Sequence, residues 1–159
     1  MFRFMAIDPG SNKIGISIVE CCVLKKIRII YSESVFLDMG QLKDKKLLEL
    51  INRVIYVAQI YNPCSVIIET VFIEDNKSLL TLELYRGGIV SFLFSFGFKV
   101  IHFAPTLMKK IVTGNGHSIK CRVGQVVCSF FQILKAIPED MIDSISLNIA
   151  YSFFLNFYF

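Results

Sequence analysis

Four carboxylates stand at positions where a buried charge needs a reason. Asp8 ends the apolar run of "FMAIDPGSNKIG", immediately before Pro9-Gly10. Glu69 closes "SVIIE", and a glutamate at the end of such a strand is costly if it is buried without a partner. Asp140 and Asp143 lie three apart in "PEDMIDSI", a spacing that puts both on one face in the first turns of a helix. The helix N-terminus partly stabilises their charge. Each has a plainer reading alone: a turn-forming Asp-Pro-Gly, or acids that improve a helix start. Together the four suggest a cation cluster. Four carboxylates within a few ångströms repel one another, and an all-oxygen donor set selects a hard ion, Mg²⁺ or Mn²⁺, rather than zinc. Two such ions about 4 Å apart can activate water and stabilise the leaving oxygen in phosphodiester hydrolysis.

The elements that must position these residues follow from periodicity. Stretches 2–8, 14–20 and 27–36 read as three strands, set apart by Pro9-Gly10 and by the Lys25-Lys26 stretch. From Leu42 the apolar spacing becomes helical through Leu47, Ile51, Val54 or Ile55, Ala58 and Tyr61, and Asn62-Pro63 stops it. A short buried strand, 65–69, precedes a helix from about Lys77 to Phe96 and a strand over 99–103. Helices are expected over 105–113 and 119–134, and a last one from near Pro138. The order implies an α/β chain with a five-stranded mixed sheet and helices on both faces. If the first strand and the one ending at Glu69 are neighbours, they are parallel with a right-handed crossover. Asp8 and Glu69 then meet at one sheet edge, where open α/β sheets bind ligands.

Composition sets bounds. With 159 residues, one domain over 1–159 is expected. The hydrophobic fraction is 54%, yet no uncharged run reaches the roughly 18–20 apolar residues of a spanning helix, so no membrane association is expected. Five cysteines without a C-x-x-C pair, and an N-terminus without an export signal, point to reduced thiols and a cytoplasmic location. The net charge of +4 leaves an anionic partner open.

"IDPGS" with Gly15, "IIETVF", "TGNG" followed by Lys120, and Asp140-x-x-Asp143 resemble, in order, the RuvC-type Holliday junction resolvases. The resemblance covers about residues 4–150. It implies an RNase H-like fold and a homodimer that nicks four-way junction DNA symmetrically during recombination and repair. It implies two Mg²⁺ per active site, with Mn²⁺ as a substitute, and branch-migration proteins as further partners. Asp8, Glu69, Asp140 and Asp143 stand at the positions of the family's metal ligands. Lys120 matches a basic residue of cleavage and backbone binding, Lys109 one that holds the backbone, and Phe72 an aromatic that packs on bases. Arg122, in the cluster 120-KCR-122, is expected to join them at the DNA.

The chain departs from the family at Ile14, where threonine is usual, and at His117, where arginine is frequent; a loop or phosphate contact is expected of His117 ahead of the alternative, a metal ligand. The loop after Phe72, "IEDNKS", is short and carries Glu74 and Asp75, acids that weaken phosphate contact. Rival readings are a catalytically silent junction-binding protein, another RNase H-like nuclease, and a member of the actin–hexokinase group. "DPGSNKIG" resembles that group's first phosphate loop, but no second loop accompanies it.

Overall fold

The structure is a computed structural model that describes residues 1–10, 12–22, 26–38, 40–70 and 77–158. Strands β1 (Phe2–Pro9), β2 (Lys13–Cys21) and β3 (Ile27–Phe36) are followed by helix α1 (Lys43–Tyr61), strand β4 (Ser65–Glu69) and helix α2 (Lys77–Ser95). Strand β5 (Val100–Phe103) and helices α3 (Pro105–Thr113), α4 (Lys120–Phe131) and α5 (Glu139–Tyr158) complete the chain. The five strands form one sheet in the order β3-β2-β1-β4-β5. β2 is antiparallel to both neighbours, whereas β4 is parallel to β1 and β5. The α/β expectation, the mixed sheet and the neighbouring parallel pair are therefore all met.

Alternation along the strands divides the core. Met5 and Ile7 of β1 pack with Ile14, Ile16 and Ile18 of β2 and Val66 and Ile68 of β4 against α1 and α2. Phe4, Ala6, Val19 and Ile67 face the other way, toward α3, α4 and α5. Asp8 and Glu69 follow in this second phase, two residues beyond Ala6 and Ile67, so both carboxylates belong to the α3–α5 side.

Several element ends differ from the sequence expectation, three of them for reasons visible in the structure. α2 stops at Ser95, where Gly97 turns the chain with φ of 79°. α4 ends at Phe131 because Gln132 adopts a left-handed conformation and the Ile133 amide returns to the Cys128 carbonyl. α5 begins at Glu139, one residue past the proline.

What seats α5 is an absent side chain. Gly15 is paired with Asp8 on one side and Ser34 on the other, and a Cβ at Gly15 would lie 1.9 Å from the Asp140 carbonyl oxygen. The first turn of α5 thus rests directly on the backbone of β2. Further along, buried Asn148 donates from Nδ2 to the Ser17 carbonyl at 3.0 Å and to Ser17 Oγ at 2.9 Å. The hydroxyls of Ser144, Ser146 and Ser152 donate back to carbonyls of α5 itself, so these three buried hydroxyls are satisfied while the helix packs closely.

Gly15→Ala is expected to push the first turn of α5 off the sheet and cost about 1–3 kcal/mol of stability. Urea unfolding measures this; a loss below about 0.5 kcal/mol, the range of an ordinary surface change, contradicts the account.

Candidate active site

The site is a row across the sheet covered by one helix. Ser34, Gly15 and Asp8 are register partners on β3, β2 and β1. Ile7 opposes Ile68, so Glu69 continues the row one step beyond that pair on β4. α5 lies over it and lowers Asp140 and Asp143 onto the same face, and α4 brings in Lys120.

The two ends of this cluster differ electrostatically. Burial pushes the Asp8 carboxyl up from 3.8 to about 7, with the charges of Glu69 and Asp143 adding to it and Lys120 opposing. Glu69 is likewise raised from 4.5 to about 7, first by burial and then by Asp143, against the pull of Lys120 and Lys109. On α5 the acids are matched with cations. Asp140 is 4% exposed, and burial alone would raise its pKa. Lys13 and Ser34 outweigh that effect and hold it below the ordinary aspartate value. Lys13 Nζ lies 2.8 Å from Asp140 Oδ1, and Ser34 Oγ donates to Oδ2. Asp143 Oδ2 accepts from Lys120 Nζ at 3.0 Å, and that bond, ahead of the opposing burial, raises the lysine's pKa.

Among the described residues, no three His, Cys, Asp or Glu side chains are gathered into a metal-sized cluster. The donor set nevertheless suits a hard cation: Asp8, Glu69 and Asp143 all offer oxygen, and the charge of Asp143 helps to hold the protons of Asp8 and Glu69 on. A divalent ion would relieve that repulsion and displace those protons.

The sequence-derived candidates thus fall into groups. Asp8, Glu69, Asp140, Asp143 and Lys120 come together, and Lys109 acts on Glu69 through its charge. Arg122 is exposed on α4, two residues past Lys120 and therefore on another side of the helix, and its charge is not among the leading ones acting on Asp8, Glu69 or Asp140. Phe72, Glu74 and Asp75 lie outside the described residues. His117 is exposed, and its backbone N–H donates to Asn115 Oδ1 at 3.0 Å. Sequence reasoning missed Lys13 and Ser34. Neither has a local signature, because each meets Asp140 only through tertiary packing.

Known proteins share this arrangement of elements. A family model described as crossover junction endodeoxyribonuclease RuvC matches residues 4–151. The crossover junction endodeoxyribonuclease RuvC of Neorickettsia sennetsu is 35% identical over 126 residues, 77% of this chain and 75% of that one. Its namesake from Koribacter versatilis is 31% identical over 152 residues, 94% of this chain and 91% of that one. Among solved structures, Thermus thermophilus RuvC superposes with a TM-score of 0.86 at 22% identity, covering 99% of this chain and 97% of that one. The same protein in complex with Holliday junction substrate gives a TM-score of 0.88 at 21% identity, with coverage of 99% and 97%. The fold is RNase H-like.

The raised Asp8 pKa has a consequence for stability. A group whose folded value exceeds its ordinary one stabilises the fold fully below about pH 4 and loses that contribution as pH rises through about 7. In EDTA, Asp8→Asn is therefore expected to be more stable than the wild type by about 2–4 kcal/mol at pH 8, and nearly equal to it at pH 4. Denaturant melts at the two pH values test this; the same difference at both contradicts it.

Proposed function

The chain belongs to the RuvC family of crossover junction endodeoxyribonucleases, and we propose that its cleft of Asp8, Glu69, Asp140 and Asp143 hydrolyses phosphodiesters in four-way DNA junctions. The observation that carries this reading is the convergence of Asp8 and Glu69 at the C-terminal edge of a parallel strand pair, beneath the acidic first turns of α5. The family is one of metal-dependent nucleases that resolve Holliday junctions; the ion is proposed to be Mg²⁺, two per site, with Mn²⁺ substituting. Bound there, divalent ions supply the charge that activates water and offsets the developing charge on phosphate.

The chain's own groups divide the remaining work. Asp8 and Glu69 are fixed by strand pairing, so their spacing is set before any ion arrives. Asp143, half-buried on α5, faces them from above. Lys120 holds its ammonium among Asp143, Asp8 and Glu69, where it can meet the anionic oxygen of a scissile phosphate. Lys109 offers a second positive charge near Glu69 for the flanking backbone, and Arg122 a third further along α4. Phe72 is proposed to stack on bases at the junction. We assign the whole of 1–159 to one nuclease domain that works in the cytoplasm beside branch-migration proteins. No helix among the described residues is long and apolar enough to cross a membrane. The four acids favour a nuclease over a silent junction binder.

A junction has two equivalent strands to cut, and a two-fold dimer presents two equivalent sites. α2 is the proposed interface. Leu80, Leu84, Gly87, Ser91 and Phe94 recur at helical spacing along its exposed side, with Leu80 73%, Leu84 52% and Phe94 56% exposed. The two glycines of α2 separate into different roles. A Cβ at Gly88 would meet Leu47 Cδ1 at 3.0 Å, so α1 accounts for that glycine within the chain. Among the described residues nothing lies within 4 Å of the would-be Cβ of Gly87, which leaves room for close approach by a second backbone.

Asp8→Asn, Glu69→Gln and Asp143→Asn are each expected to reduce cleavage of a synthetic four-way junction by 100-fold or more, on the order of the loss of a catalytic group. Junction binding should be retained, because each change also lowers the negative charge facing DNA. Near wild-type cleavage in all three variants would remove the carboxylate site. Leu84→Glu is expected to convert the dimer to monomer in sedimentation at micromolar concentration; a wild-type chain that is itself monomeric, alone and on junction DNA, contradicts the interface.

A further inference from the structure

Asp140 differs from the other three acids in being already supplied with a cation. Its carboxylate is almost fully buried and is held at both oxygens, by Ser34 Oγ at Oδ2 and by Lys13 Nζ, 2.8 Å from Oδ1. Ser34 reaches Asp140 from the neighbouring strand across Gly15, where no side chain intervenes. Lys13 is of another kind. It opens β2, its side chain is 45% exposed, and its ammonium approaches from the solvent rim. The other charges that act on it are those of Glu139 and Lys120. With its side chain 45% exposed the ammonium can withdraw into solvent, and the oxygen that it covers is one that a metal ion would need.

We propose that Lys13 is a resident counter-cation for Asp140, which must withdraw before that carboxylate can ligate a divalent ion, and that it thereby sets the ion concentration the site requires. The inference rests on the ligand set given under the proposed function. Ser34 keeps the Asp140 carboxylate oriented while Lys13 comes and goes, so the two neighbours have separate roles. A lysine that merely positioned Asp140 would have the opposite signature: its removal would weaken metal binding, whereas removal of a competitor strengthens it.

The test is isothermal titration of Mn²⁺ into the full chain without DNA, for the wild type, Lys13→Ala, Lys13→Gln, Lys13→Arg and Asp8→Asn. Lys13→Ala and Lys13→Gln are expected to bind Mn²⁺ about two- to fivefold more tightly than the wild type, the range for giving up a part-exposed ion pair. Lys13→Arg, which keeps the charge, should remain close to the wild type. Gln retains a hydrogen-bond donor for Asp140, so it serves if the alanine variant folds poorly. Unchanged or weaker binding in the neutral variants overturns the proposal. If Asp8→Asn binds as tightly as the wild type, the ligand set itself fails and Lys13 with it. If Asp8→Asn loses binding while the neutral Lys13 variants gain nothing, the Lys13 inference alone is wrong.

Discussion

The backbone contact between Gly15 and the first turn of α5 is the constraint from which the site follows. Strand pairing alone brings Asp8 and Glu69 together, but it leaves them as two acids at a sheet edge. The second pair arrives only because β2 lacks a side chain where α5 crosses it, which lets the Asp140 carbonyl sit within 1.9 Å of a would-be Cβ. Ser34, Gly15 and Asp8 share one register row, so this single close approach fixes Asp140 against β3 and hangs Asp143 over the parallel pair. The rest of α5 maintains the approach with small polar residues and the Asn148–Ser17 hydrogen bonds. A bulkier, wholly apolar helix would stand further from the sheet.

Placing acids this close has an electrostatic cost, and the chain distributes it unevenly. At Asp8 and Glu69 burial outweighs the pull of Lys120, and both hold their protons up to about pH 7. Asp140 and Asp143 are met by Lys13 and Lys120. On the proposed ligand set, one half of the cleft would exchange protons for metal, and the other half lysines for metal. The two halves should respond to different variables, the first to pH and the second to ion concentration.

Much of this was legible in the sequence, for physical reasons. Asp8 and Glu69 stand out because a charge at the end of an apolar strand contradicts its surroundings, and parallel pairing brings both to one sheet edge. Asp140 and Asp143 stand out because helical spacing places them together at a helix start. The long helical connection made β1 and β4 parallel if they were neighbours, and the structure makes them neighbours. What remained hidden depends on contacts between distant segments: Lys13 and Ser34 on Asp140, Arg53 gripping Glu33 through two hydrogen bonds and Tyr31 through a third, and Gly88 making room for Leu47. The end of α4 was also hidden, since glutamine carries no stop signal and took a left-handed conformation only in context.

The central claim is that this cleft is where divalent ions bind. An anomalous difference map from crystals of the protein soaked in Mn²⁺ tests it most directly. The account predicts metal density bounded by Asp8, Glu69 and Asp143, with a second site reaching Asp140 once Lys13 has turned away. Metal density elsewhere on the surface, with none among these carboxylates, would contradict it.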